Sequence, residues 1–393
     1  MHFTRRHIQL VLGVLWLFDG ALQLQPFMFT TGFATQVINP VAQGQPAFVA
    51  DPVLWASGLI AAHHVLADAG FAGAQLVIGA GLLLRPFARA ALAGSVTWAL
   101  GVWYMGEGLG GITGGHASLL IGAPGAALLY AVLSAAAWPA KTSGKRAGRS
   151  RLLGMLGSQG SDVPPRAWVA FAWVVLWTGG ALLRALPGQA NTGAVRQTLL
   201  NTAHGAPAWL AAWNYAVASW VHNTGIGVII AIVVVEVAVG AMAVKQGWPR
   251  LVAAGLGCSI ALVQWVLGQG MGQIYTGQAT DPSTGLLLVV LAAAVLATTP
   301  VPQRRVRLSM RLPERASTVR PVVAIGLDDG HLLMPGSRSP GVMPGSRSPG
   351  VMPGSRSPGV MPGPRSPGVM PRRQSPGESN LVRSTSRRSC SSR

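Results

Sequence analysis

Long apolar blocks separated by polar connections dominate the first 300 residues of the chain. The longest carry almost no charge over about 17–20 residues, which is enough to cross the hydrocarbon core of a membrane. They are Ile8–Leu24, Phe87–Met105, Trp168–Leu183, Gly225–Val244 and Leu251–Leu267. The pattern predicts an all-α fold, a polytopic membrane helix bundle with the lipid bilayer as its surroundings.

The apolar blocks predict about eight transmembrane helices in two sets of four. The first set covers about 8–24, 60–84, 87–105 and 123–138. The second set covers about 167–185, 221–244, 251–268 and 282–299. In each set a long segment follows the first helix, at 26–59 and 186–220. Each segment ends in an apolar stretch, Phe48–Leu59 or Trp209–Trp220, that predicts a helix lying at the outer membrane interface.

The two sets of helices repeat each other. Trp103–Gly110 (WYMGEGLG) returns as Trp265–Gly272 (WVLGQGMG), and other matches follow in the same order at an offset of about 161 residues. A period this long indicates a duplicated domain. Because four is an even number of helices, both repeats enter the membrane from the same side, which predicts parallel repeats related by an axis along the membrane normal.

The duplication predicts how the chain is divided. Residues 1–140 form the first four-helix repeat, 141–166 a basic cytoplasmic linker, 167–300 the second repeat, and 301–393 a basic tail. From Met334 the tail repeats the sequence MPGSRSPGV, a composition that cannot bury enough apolar surface to fold and therefore predicts disorder.

The net charge of +19 would suggest nucleic acid binding in a soluble protein. Here the basic residues lie in the tail and in the connections on one side of the predicted bundle, where anionic lipid is the expected partner and nucleic acid is not. The outer loops carry only Arg196, so the positive-inside rule predicts a multi-pass plasma-membrane protein with both termini in the cytoplasm. No small-residue cleavage pattern follows the first apolar block, which predicts a retained helix rather than a secretory signal.

Ionisable residues inside the predicted helices are candidates for ligand binding, because each is costly unless it faces the bundle interior or water. Asp19 and Gln23 fall near one face of the first helix, and the alternative for them is a structural hydrogen bond between helices. Glu236 lies in the middle of its helix, with Gln75 at the matching place in the first repeat. Arg184 is a partner for either Asp19 or Glu236.

The duplicated glycine-rich element ends the third helix of each repeat and is the best candidate for a binding surface, the alternative being a structural turn. An acid, Glu107, and an amide, Gln269, occupy equivalent positions. The polar residues that follow them in the two loops are Thr113, His116, Gln273, Thr276 and Asp281. Asp281-Pro282 predicts the N-cap and first residue of the last helix.

The histidines and cysteines do not support a metal centre. His63 and His64 begin one predicted helix and His222 the equivalent one, which could bring an axial pair to a haem, but interfacial histidines without such a role are the favoured interpretation. Cys258 suits core packing, and no metal-ligand spacing, nucleophile–base motif or phosphate loop is present. No metal is therefore predicted, and the catalytic residues and the enzymatic status stay open.

The four-helix unit resembles the DoxX-like membrane family. The resemblance rests on the opening helix Leu15-Trp-Leu-Phe-Asp19-Gly20-Ala-Leu, the long segment after it, the Leu84-Arg85-Pro86 turn and the final helix Gly125–Trp138. It covers about 8–139 and repeats weakly over 167–300. It implies a link to quinone redox chemistry or to a membrane redox partner.

Three hypotheses about function follow. The leading one is a protein that binds a quinone or another lipophilic small molecule, or supports a redox partner. Its site is expected between the repeats near the outer face and involves Asp19, Glu107 and Gln269, with His222 as a further candidate. The second is a small-solute transporter with a midplane site containing Glu236 and Gln75. The third is a non-catalytic scaffold.

Overall fold

The computed structural model describes residues 3–139 and 166–299, and this part of the chain is helical without β-strands. The first half, residues 3–139, contains α1 (Arg5–Leu22), α2 (Ala47–Ala62), α3 (His64–Leu83), α4 (Ala88–Met105) and α5 (Ala126–Ala136). The second half, residues 166–299, contains α6 (Arg166–Ala185), α7 (Thr192–Ala203), α8 (Ala208–Thr224), α9 (Ile226–Met242), α10 (Trp248–Val263) and α11 (Thr284–Thr298). The predicted linker, apart from Arg166, and the predicted tail lie outside the described residues.

Three to four of the described helices are long and apolar enough to cross a membrane, which indicates a membrane protein. They are α3, most of α6, and α10 with the π-helix that continues it to Gly268; α8 and α9 together would make the fourth. The other predicted spans form helices that are shorter or more polar. α5 and α11 have only 11 and 15 residues, and α1 carries Arg5, Arg6 and Asp19.

Outward-facing apolar side chains are consistent with a lipid environment. Val14 on α1, Val234 on α9 and Val263 on α10 are 57–60% exposed, although each lies in a helix whose opposite face is buried. A helix in water would place polar residues there.

The helices between residues 186 and 244 begin and end at residues other than those predicted. Helix 221–244 was expected to be continuous, but α8 ends at Thr224 and α9 starts at Ile226, because Gly225 between them has a φ of 73°. The two helices meet at 104°. α7 was not predicted; its start is capped by Asn191, whose side-chain oxygen accepts the Ala194 N–H at 2.8 Å.

Small residues bring two pairs of helices close together in the same way. In the α1–α3 contact, a Cβ atom at Gly79 would lie 2.8 Å from the backbone nitrogen of Leu17. In the α6–α9 contact, a Cβ atom at Gly240 would lie 2.8 Å from Thr178. Close backbone approach through glycine is a common way for helices to associate in a membrane.

One hydrophobic core runs through both halves and includes Trp16, Tyr130, Trp173 and Trp177. The Trp16 and Tyr130 rings are 4.4 Å apart, and the Trp16 Nε1–H donates to the Ser95 hydroxyl at 2.8 Å. The halves are therefore packed as one body rather than as two separate bundles.

Each half also inserts part of a loop into the other, an arrangement we call the loop exchange. Leu119 of the first half is buried against Gly180 on α6, where a Cβ atom would collide with its side chain. In the opposite direction, Gln25 after α1 donates from Nε2 to the Ala279 carbonyl at 3.3 Å. Gly180 stands at the position that matches Asp19, and the missing side chain makes room for Leu119.

Candidate functional site

The glycine-rich element after α4 has the same geometry as the element after α10. The Trp103 indole Nε1–H donates to the Pro124 carbonyl at 2.7 Å, and the Trp265 indole donates to the Pro282 carbonyl at 2.7 Å. Leu109 and Met271 both adopt left-handed backbone, with φ of 57° and 54°. Non-glycine residues rarely do so, and such strain is found where a loop is held in one shape.

The acid and the amide of the two elements cap the helix that follows. Glu107 Oε1 accepts the Ala127 N–H at 3.0 Å, and Gln269 Oε1 accepts the Gly285 N–H at 2.9 Å. These N–H groups lie in the first turns of α5 and α11, where helices leave backbone donors without internal partners. The duplicated motif is thus in part a structural device, which was the alternative considered from the sequence.

Gln269 and Glu107 differ at the side-chain atom that does not take part in the cap, Nε2 in the amide and Oε2 in the acid. Gln269 Nε2 donates to the Leu119 carbonyl at 3.2 Å and so holds the loop exchange together. Glu107 Oε2 is buried and has no hydrogen-bond partner among the described residues. Since a glutamine performs the capping equally well in the second half, the carboxyl group of Glu107 is not required for the cap.

Glu107 lines a cavity of about 590 Å³ at the loop exchange. Both halves contribute to its wall, and we call it the acidic cavity, defined by Pro40, Val41, Glu107, His116, Asp281 and Thr284. Its volume falls within the range of small-molecule sites in proteins. His116 is exposed at the cavity, and its carbonyl accepts from Gln189 at 3.1 Å.

The two acids of this cavity hold protons more tightly than usual. Burial raises the pKa of Glu107 to about 8, and the nearby Asp281 carboxylate adds to the effect. Burial also raises the pKa of Asp281, whose Oδ1 and Oδ2 accept from the Ser283 N–H at 2.7 Å and the Thr280 hydroxyl at 2.9 Å. Glu107 is therefore mostly neutral at pH 7 and carries a proton that it can donate in a hydrogen bond.

Asp19 and Tyr130 are buried within electrostatic range of the acidic cavity. Asp19 is 1% exposed, lies beside the Tyr130 hydroxyl, and interacts electrostatically with Asp281. Its Oδ1 atom, like the buried Oε1 of Gln23, has no partner within residues 3–139 and 166–299. Asp19 and Glu107 thus belong to one group of buried polar residues, together with Asp281 and Tyr130. Of the four, Tyr130 was not predicted from the sequence.

A second cavity, of about 420 Å³, occupies the matching place in the second half. We call it the amide cavity, defined by Asn201, Thr202, Gln269, Gln273, Gln278 and Thr280. The correspondence is close: a Cβ atom at Gly108 would lie 2.7 Å from Val41, and one at Gly270 would lie 2.9 Å from Thr202. The two cavities share Ile121, Asp281 and Ser283.

Arg184 and Glu236 are both buried in the second half and line neither cavity. Arg184 is 2% exposed and Glu236 1% exposed, and their opposite charges attract. Gln264 Nε2 on α10 also donates to Glu236 Oε1, at 3.4 Å. The electrostatic interaction of Arg184 is thus with Glu236 rather than with Asp19, and it is not a direct ion pair. In the first half Gln23 and Gln75 stand at the matching positions, at the same offset of about 161 residues.

His63, His64 and His222 line neither cavity, whereas His116 lines the acidic cavity. His222 lies on α8 with an exposed side chain and lines neither cavity, although equivalence with His63 and His64 suggested a place near the site. In the described part of the chain, no group of three His, Cys, Asp or Glu side chains could hold a metal ion.

Two roles were expected of Asp281, the N-cap of the last helix and a place in the candidate binding loop, and only the first is wrong. The Asp-Pro pair suggested an N-cap, but α11 begins only at Thr284, and the Asp281 carboxylate instead receives the Ser283 N–H and lines both cavities. Its position in a glycine-rich loop with Thr280 and Ser283 was the available signal.

Comparison with known proteins gives no relative: no family model, no curated protein and no solved structure matches the chain.

Proposed function

We propose that this membrane protein binds a lipophilic small molecule with a carbonyl head group, of the quinone class, in the acidic cavity. The observation that carries the proposal is Glu107 itself, a neutral carboxyl group that lines this cavity and whose buried Oε2 atom has no partner among the described residues. With such a ligand bound, the protein would support the activity of a membrane redox partner.

The chemistry of Glu107 favours a hydrogen-bond acceptor as ligand. Its Oε1 atom is occupied by the Ala127 N–H, which leaves the acidic proton on Oε2. With a pKa of about 8, this proton is present at pH 7 and can be donated to a carbonyl oxygen. A buried donor without an acceptor is costly, so a ligand carbonyl would also stabilise the site.

The rest of the wall suits a ring with apolar faces. Pro40, Val41, Ala123 and Ala126 line the acidic cavity, and the Trp103 indole lies against Gly125 in the same wall. Small-molecule sites commonly combine such apolar surface with a few directed polar groups.

The proposed architecture is a tandem, DoxX-like arrangement of two parallel four-helix units, crossing the plasma membrane about eight times with both termini in the cytoplasm. Its support is the repeated geometry: the Trp103 and Trp265 bonds, the two caps, and the matching glycine contacts of Gly79 and Gly240.

Binding of ubiquinone-1 to the purified full-length protein in lipid nanodiscs tests the proposed ligand. We expect saturable binding by calorimetry, weakened at least about tenfold by Glu107→Leu, because the donor is lost. Glu107→Gln should bind nearly as well as the natural protein, since glutamine supplies an oxygen for Ala127 and an N–H for the ligand. Asp51→Asn, at an exposed acid on α2, is the matched control and should change nothing.

Two results would contradict the proposal. The first is the absence of saturable ubiquinone-1 binding. The second is a loss of binding in Glu107→Gln as large as in Glu107→Leu, because a site that needs the carboxylate charge would be one for a cation instead.

A small-solute transporter is the second candidate, favoured by the buried charges of Arg184 and Glu236 inside the helix bundle. Replacing both by glutamine reproduces Gln23 and Gln75 of the first half and removes the charges without leaving one unpaired. Proteoliposomes with this double variant should lose uptake of a transported solute while their thermal unfolding stays cooperative. Uptake at the natural rate would exclude a transport role for the pair.

A further inference from the structure

We propose that the amide cavity binds an uncharged, hydroxyl-rich solute such as a sugar or polyol, separately from the ligand of the acidic cavity. The two cavities occupy matching places, but their walls have diverged. Where the acidic cavity has Pro40 and Val41, the amide cavity has Asn201 and Thr202; where the first has Glu107, the second has Gln269. The two cavities thus have similar backbone geometry but different side chains in their walls, which favours a different ligand for each.

The wall of the amide cavity offers hydrogen-bonding groups that the protein itself does not use. The side-chain amides of Gln273 and Gln278 make no hydrogen bond to the described residues, and Asn201 uses only its oxygen, which accepts from Gln197 at 2.8 Å. Side-chain amides donate and accept at neighbouring atoms, and a sugar hydroxyl does both from one atom.

The charges around the cavity disfavour an ionic ligand. Its lining contains no lysine, arginine or histidine, so an anion would have no counter-charge. Its one acid, Asp281, already accepts a hydrogen bond at each carboxylate oxygen, from Thr280 and from Ser283, which leaves a cation fewer free lone pairs. An uncharged ligand carries neither penalty.

The backbone of this wall is held in a strained form. Met271, Gln273 and Ser283 all have positive φ, at 54°, 54° and 68°. Gln273 and Ser283 line the cavity directly. Strain of this kind is concentrated at ligand-binding and active sites, where the surrounding structure holds the backbone in one form. The backbone therefore positions the Gln273 amide at the cavity.

Three monosaccharides of similar size but different charge test the proposal: D-glucose, D-glucosamine and D-glucuronate. With the full-length protein in nanodiscs, saturation-transfer NMR should detect saturable binding of glucose and much weaker binding of the two charged sugars. The double variant Asn201→Ala/Gln273→Gly should weaken glucose binding at least about tenfold. Glycine at position 273 relieves the positive φ, so this variant should keep its fold.

Gln246→Ala removes an exposed amide from the connection between α9 and α10 and is the matched control, expected to bind glucose like the natural protein. Three results would overturn the proposal: glucose does not bind, glucosamine binds more tightly than glucose, or the double variant binds glucose as well as the natural protein does. Ubiquinone-1 binding is measured in the same samples and reports on the acidic cavity alone.

Discussion

Glu107 and Gln269 accept the same hydrogen bond in the two halves of the protein. The Oε1 atom of each takes a backbone N–H from the first turn of the helix that follows, at 3.0 Å from Ala127 and at 2.9 Å from Gly285. Gln269 uses its other terminal atom to hold Leu119, whereas Glu107 leaves its other oxygen without a partner in the described part of the chain. Glu107 and Gln269 therefore share the capping role, and they differ in whether the remaining side-chain atom already has a hydrogen-bond partner.

Exchanging the two residues should have unequal effects. At pH 4, where the folded and the unfolded chain both mostly hold the Glu107 proton, Glu107→Gln should leave the free energy of unfolding within about 0.5 kcal/mol of the natural value, because glutamine makes the same cap in the second half. Gln269→Glu should lower it by about 1–3 kcal/mol, because a carboxylate oxygen would face the Leu119 carbonyl and leave it without a donor. Chemical denaturation in detergent measures both, and equal losses would contradict the assignment.

The raised pKa of Glu107 predicts that stability falls as the pH rises. The folded protein keeps a proton with a pKa of about 8 that the unfolded chain releases near 4.5. This stabilisation is complete below about pH 4.5 and is lost between there and pH 8, at up to about 1.4 kcal/mol per pH unit.

Thermal unfolding from pH 5 to pH 9 measures this slope. Glu107→Gln should flatten it, and Asp281→Asn should flatten it further because the pKa of Asp281 is raised as well. An unchanged slope in the Glu107 variant would show that the proton is bound elsewhere.

Gly180 should tolerate no side chain because Leu119 fills the space beside it. We expect Gly180→Ala to lower the free energy of unfolding by about 1–3 kcal/mol through overpacking. Gly179→Ala is the control one residue earlier, where a Cβ atom would meet nothing within 4 Å, and it should be neutral or stabilising by about 0.5–1 kcal/mol. Similar values for the two variants would argue against the loop exchange.

The Arg184 and Glu236 charges should depend on each other. Glu236→Gln alone leaves a buried guanidinium without its counter-charge and should cost about 3 kcal/mol. Adding Arg184→Gln should recover most of this loss, since Gln23 and Gln75 occupy the matching positions in the first half. A double-mutant cycle on unfolding measures the coupling, and additive effects would mean that the charges do not interact.

Local patterns predicted the helical fold and the recurring Trp103 and Trp265 elements, because apolar blocks and glycine-rich turns are visible along the chain. The partners of those elements were not predictable in this way. Trp103 bonds to Pro124, and Gln269 bonds to Leu119 in the opposite half. His222 was expected near the site from repeat equivalence, but the turn at Gly225 places it on α8 with an exposed side chain. These tertiary contacts depend on how the two halves pack against each other. The spacing of apolar residues along the sequence does not determine that packing.

The loop exchange has a consequence for how such a protein can arise. Asp281 from the second half completes the acidic cavity, and Ile121 from the first half completes the amide cavity, so neither cavity is whole within one half. A single ancestral unit would have needed a second copy of itself to form either one, and the two cavities would then have been identical. Joining the units in one polypeptide removes that constraint, so that each cavity can acquire its own selectivity by substitutions in one wall.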